Sequence, residues 1–125
     1  MMRFIFLLMS LPLFAFQQSS SLTSITRAMN SGDAAAVGAY FDEQIELSLL
    51  DKESVYGKAK AIQSLKQFFS QHTVEGFSQV HEGSSKGDDA KYCIGNLQTD
   101  KGSFRVYMFV EIEQNQYSLQ ELRIE

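Results

Sequence analysis

The C-terminal half of the chain holds four extended runs, GFSQVHEGSS, AKYCIGNLQT, SFRVYMFVEI and QYSLQELRIE, parted only by KGDD, DKG and EQNQ. Connections this short cannot carry a parallel crossover, so consecutive runs must fold back on one another as antiparallel neighbours. The separators are polar and two of them contain glycine, as hairpin turns require. The C-terminal half is therefore committed to an antiparallel meander, and the rest of the chain must supply what covers it.

The covering elements are read from helical spacing. In SLTSITRAMNSGD, Leu22, Ile25, Ala28 and Met29 recur three and four apart, and Asn30, Ser31 and Gly32 punctuate the end. Asp33 can cap a second short helix whose inward stripe is Val37, Tyr40 and Phe41, which puts Asp42 and Glu43 at its end. QIELSLL then alternates Ile45, Leu47 and Leu49 against Gln44, Glu46 and Ser48, the pattern of a half-buried strand with Glu46 pointing away from the apolar side. DKES reads as a turn before a brief VYG. After it, KAKAIQSLKQFFSQH places Ile62, Leu65, Phe68, Phe69 and His72 on one face of the longest helix. Helices gathered on one face of an antiparallel sheet make an α+β domain.

Residues 1–16, MMRFIFLLMSLPLFAF, carry one cation, Arg3, ahead of an apolar run that is short for a membrane span. This is the pattern of a signal peptide, followed by a polar linker at 17–21, and it predicts export without stable membrane insertion. The 125-residue chain has 15 acidic against 11 basic side chains, a net charge of −4, and loss of Arg3 makes the remainder more acidic still. Nucleic acid is a poor partner for such a surface, because phosphate neutralisation needs a basic stripe.

Familiar chemistries find little purchase. His72 and His81 lack the spacing of a metal site, and the lone Cys93 cannot build a thiolate centre, so no metal is expected. Cys93 lies in an apolar run and reads as a buried, inert thiol. No glycine-rich phosphate loop and no GxSxG elbow occur, so neither a nucleotide cofactor nor a serine nucleophile is expected. No catalytic residue is assigned.

The pieces GDAAAVGAYFD, SVYGKAKA, FFSQH, HEGSSK, YCIGNL, FRVY and the terminal LRIE, in that order, resemble an exported bacterial family of unknown function with the nuclear transport factor 2-like (cystatin-like) fold. The resemblance spans residues 22–125 as a single domain. It implies a cone-shaped fold with a curved sheet wrapped around the longest helix, and a periplasmic or secreted location. It brings no established activity. Ketosteroid isomerase and polyketide cyclases resemble it in fold and place a general base late in the first strand. Here Ser48 or Leu49 stands at that place and neither takes a proton at neutral pH, while Asp42 and Glu43 come too early and Asp51 too late.

Two features remain as candidate sites. In SFRVYMFVEI one parity carries Phe104, Val106, Met108, Val110 and Ile112, and the other carries Arg105, Tyr107, Phe109 and Glu111. Both faces of this strand are substantially apolar, so Tyr107 and Phe109 need cover. Either a second subunit covers them, giving a homodimer through the outer sheet face as in many members of the superfamily, or they line an internal cavity. A bulge near Gln120 and Glu121 would bring Leu119, Leu122 and Ile124 to one face and leave Arg123 beside Arg105 on the other, flanked by Glu111, Glu121 and Glu125. That pair is either a solvated arginine and glutamate lattice or, with His81, an anion grip. The second candidate is a pocket for a small apolar or anionic ligand, walled by Tyr40, Tyr56 and Phe68. A non-catalytic binding or interaction module is the favoured reading, and a ligand-binding protein or an isomerase-like enzyme is the alternative.

Overall fold

The computed structural model describes residues 21–125, so the signal segment and most of the linker lie outside the described residues. Ser21 already belongs to the domain. Its hydroxyl accepts from the Ser24 amide at 3.1 Å while Ser24 Oγ takes the Ser21 N–H at 2.9 Å, a reciprocal cap that opens α1 (Leu22–Ser31). Gly32 closes α1 in the left-handed conformation, φ 66°, and donates its N–H to the Met29 carbonyl. Asp33 Oδ1 accepts from the amides of Ala35 and Ala36 at 3.0 and 3.2 Å and starts α2 (Ala34–Gly38).

Here the sequence reading needs correction. Helix α2 ends at Gly38, so Tyr40 lies in the connection and Phe41 opens strand β1 (Phe41–Leu49). Asp42 and Glu43 are therefore strand residues, not the end of a helix. The helical spacing of Val37, Tyr40 and Phe41 arises because a strand beginning after a tight turn buries its first side chain on the same side. A second correction concerns DKES, where the expected turn holds only Asp51, with Leu50 at φ 56° before it: Lys52, Glu53 and Ser54 join VYG in β2 (Lys52–Gly57), which pairs antiparallel with β1.

Helix α3 (Lys58–Gln71) is the longest and buries Ala61, Leu65, Phe68 and Phe69. Strands β3 (Val74–Ser84), β4 (Ala90–Thr99), β5 (Gly102–Glu113) and β6 (Gln116–Ile124) form the expected meander. The β5–β6 turn has Gln114 and Asn115 both at positive φ, 51° and 62°, the conformation a two-residue hairpin favours. The sheet has six strands in the order β2-β1-β6-β5-β4-β3. Strand β6 lies between β5 and β1 and runs parallel to β1, the one parallel pair in an otherwise antiparallel sheet.

The register slips at Gln120. Phe109 faces Glu121 while Val110 faces Leu119, so Gln120 is the extra residue and Leu119, Leu122 and Ile124 all turn inward, fully buried. A further slip occurs on β3 beside Val80, and another on β1 between Phe41 and Glu46. Such bulges bend their strands, which lets the sheet curl about the helices. The core lies on the inner face, where Ile45, Leu47, Cys93, Leu97, Val106, Met108, Leu122 and Ile124 meet Ile25, Met29, Val37, Leu65 and Phe69. Val106, Met108 and Val110 are on this inner side, so Tyr107 and Phe109 face outward and do not line the interior.

Candidate functional site

Two surfaces stand out. The first is a cleft of about 400 Å³ between the inner side of β1 and β2 and the C-terminal half of α3. Leu47 and Leu49 alternate inward from β1, and Tyr56 does so from β2. From α3 come Ser64, Gln67, Phe68 and Gln71, which at that spacing share one helix face. Leu50, Asp51 and Lys52 form one lip and His72 another.

His72 is held on three sides. Its ring stacks on Phe68 with centroids 4.2 Å apart, meets Phe104 edge-on at 5.3 Å, and its Nδ1 lies 3.0 Å from the Phe68 carbonyl. A carbonyl can only accept, so Nδ1 carries a proton, and in the neutral imidazole Nε2 is then the nitrogen left to accept from elsewhere.

Tyr56 and Phe68, two of the three wall residues expected from sequence, thus line the cleft. Tyr40 does not; it is half-buried against the core. Among the acids weighed for catalysis, Asp51 borders the cleft, exposed at its mouth. Glu46 points to the outer side of the sheet, as its strand parity implies. Asp42 is engaged by Gln120, whose amide donates at 2.9 Å; that bond and the Glu43 amide hold its carboxyl below the ordinary value of 3.8. Among the described residues no three His, Cys, Asp or Glu side chains cluster as metal ligands.

The second surface is the outer sheet face. Strand register sets Tyr92 opposite Phe109 and Ile94 opposite Tyr107, making one block of four half-buried apolar side chains. Phe109 adjoins Glu121, which adjoins Glu46; Tyr107 adjoins Arg123. Burial and then the Glu121 carboxylate raise the Tyr107 phenol above its usual 10.

Arg105 and Arg123 do lie on this one face, at the same end. Arg105 is paired through its backbone with Glu125, next to Arg123 on β6. Arg123 already bonds Glu121 at 2.7 Å and approaches Glu125 at 3.9 Å, which is the lattice expected from sequence. Glu111 is not part of it; it sits opposite Ser118 at the far end of β5. His81 lies on β3, with β4 between it and Arg105, and its Nε2 is 3.0 Å from the Tyr92 hydroxyl. The structure does not gather these three cations around one point.

Sequence reasoning missed Ser64, Gln67 and Gln71. Polar residues on a helix read as solvated, and the available signal was that they share the face of Phe68.

A family model described as a domain of unknown function, DUF4783, matches residues 22–125. The chain belongs to the DUF4783 family. Its fold is nuclear transport factor 2-like, an α+β domain with helices followed by a curved mixed sheet. A DUF4783 protein from Bacteroides uniformis is 28% identical and superposes with a TM-score of 0.78, over 85% of this chain and 96% of that one. Another, from Bacteroides ovatus, is also 28% identical, with a TM-score of 0.77 over 85% and 94% of the two chains. The likeness extends in fold alone to "Rd1NTF2_04 with long sheet", 17% identical, TM-score 0.65, over 82% and 94%. No curated protein matches the chain.

Proposed function

We propose that this DUF4783 domain is an exported, non-catalytic interaction module that docks a second copy of itself through the outer sheet face. The observation that carries the reading is the outer row of β5: Arg105, Tyr107, Phe109 and Glu111 run cation, aromatic, aromatic, anion. A two-fold axis lying between the two stacked faces, parallel to the sheet and perpendicular to β5 at the level of Met108, reverses that row. Arg105 then meets Glu111 of the second copy, and Tyr107 meets Phe109. An isologous contact must be self-complementary in this way. The flanking rows support it, since Arg123 stands at the cationic end and Glu46 and Glu121 stand toward the anionic one. Tyr92 and Ile94 widen the apolar centre, where aromatic side chains contribute most to an interface.

Sedimentation tests this. The protein is expected to run as a dimer at micromolar concentration and Phe109→Arg as a monomer. Arg105→Glu and Glu111→Arg should each weaken association about tenfold, and the double variant should restore it, because reversing both ends preserves the pairing. A wild-type monomer at 200 µM, or a double variant no better than the singles, ends the proposal. Export rests on Arg3 and the apolar run after it; finding intact Met1 in the cytoplasmic fraction would refute that part.

The non-catalytic reading is supported by the inner side of β1, which offers Leu47 and Leu49 where an isomerase-like enzyme would hold its base. Of the carboxylates, the cleft has Asp51 at its lip, open to water.

A further inference from the structure

We propose that the cleft between β1, β2 and α3 binds a small uncharged molecule that has an apolar body and an amide- or hydroxyl-like polar edge. The face of a helix that packs on a sheet is ordinarily an apolar stripe. Helix α3 follows that rule at Ala61, Leu65, Phe68 and Phe69, which are buried. It breaks the rule on the side turned to β1 and β2, where half-buried Ser64 and the exposed Gln67 and Gln71 flank Phe68 along an open cleft of about 400 Å³. Leucine at those positions would favour closure and would suit a helix equally well. The polar choice keeps the space open and lines it with groups that can bond a guest.

The lining also defines the guest. Leu47, Leu49, Phe68 and the Tyr56 ring give an apolar floor, and the volume is at the lower end of the roughly 300–1,000 Å³ that ligand pockets occupy. The polar wall is neutral. Each glutamine amide carries both donors and an acceptor, Ser64 adds a hydroxyl, and the His72 imidazole in its neutral form, with its proton on Nδ1, presents Nε2 as an acceptor. None of these supplies a full countercharge. The two ionic groups, Asp51 and Lys52, are adjacent, opposite in sign and exposed at the lip. An anion or a cation entering the cleft would lose hydration without a partnered charge inside, whereas a neutral amide or alcohol trades its water bonds for equivalent ones.

The site is separate from the outer sheet face, so Phe109→Arg should leave it unaffected. The test is an amide NMR titration of the ¹⁵N-labelled protein with three molecules of one shape and different charge: benzamide, benzoate and benzylammonium. Benzamide is expected to give saturable shifts confined to Leu50–Lys52 and to Ser64–His72, with the two ions binding at least tenfold more weakly. Gln71→Leu should weaken benzamide at least fivefold without changing the thermal midpoint downward. Ser64→Ala, which removes only a hydroxyl, supplies the same readout if the leucine variant does not fold. Absence of saturable benzamide binding up to its solubility, benzoate or benzylammonium binding as tightly as benzamide, or shifts centred on another surface would each overturn the assignment.

Discussion

The ring of Phe77 on β3 lies across Gly95 on β4, so close that a Cβ at position 95 would overlap the ring and stand 2.6 Å from the Ser78 carbonyl oxygen. The mirror arrangement occurs on the other face, where Tyr92 of β4 covers Gly83 of β3. An aromatic side chain thereby fills the space each glycine leaves, once toward the core and once toward the outer face. Gly95→Ala should cost about 1–3 kcal/mol, because backbone must move as well as the ring. Gly83→Ala should cost less, since the atoms in its way belong to the Tyr92 side chain. Urea unfolding of both variants gives the comparison, and equal midpoints would count against it.

Asp42 provides a pH signature. The Gln120 amide and the Glu43 N–H favour its charged form, so its folded carboxyl titrates below 3.8. A lowered acid contributes stability above its unfolded value and loses it as pH falls through the folded one. Gln120→Leu should move the Asp42 carboxyl upward in a ¹³C NMR titration and flatten the fall in stability below pH 4. An unmoved Asp42 would show that the bond is not what holds it.

Cys93 is fully buried, and burial pushes its thiol up to about 11. At pH 8 only about one thiol in a thousand would be ionised even if reached, and the thiolate is the reactive form. Ellman's reagent should therefore leave the native protein unlabelled for hours and label it within minutes in 6 M guanidinium. Rapid native labelling would place Cys93 nearer the surface.

His72 should show the Nδ1–H tautomer when neutral, read from its ring ¹⁵N shifts, because Nδ1 must donate to the Phe68 carbonyl. His72→Phe should keep the stacking on Phe68 and Phe104 yet weaken binding in the cleft. An Nε2–H tautomer would remove the acceptor that the cleft is argued to offer.

Legibility of the sequence followed the range of the interactions. The bulge at Gln120 could be read because Leu119 and Leu122 break parity, and parity is a local property that burial enforces. Strand β2 could not: it lies at an edge, Tyr56 alone is even half-buried, and its exposed residues show no alternation. The junction of α2 and β1 was misread because Tyr40 and Phe41 happen to continue a helical interval. The parallel pairing of β6 with β1 joins residues 75 to 78 positions apart and leaves no local trace. The outer block of Tyr107 and Phe109 was half visible, as apolar residues on the wrong parity, whereas its members Tyr92 and Ile94 needed the β4–β5 register. The cleft was least legible, because a serine or glutamine that borders a cleft looks the same in sequence as one on open surface.

The place of β6 between β1 and β5 has a bearing on how the protein is made. During synthesis β1 and β2 emerge early, and the β3–β5 hairpins later, yet nothing joins the two groups within the sheet until residues 116–124 have left the ribosome. A nascent chain short of that point holds two half-sheets, each with an edge of unpaired backbone N–H and C=O groups, and has no route to a finished core. Completion of the core thus waits on the last of the six strands, and until it arrives the partly made sheet is at its most open to wrong pairing.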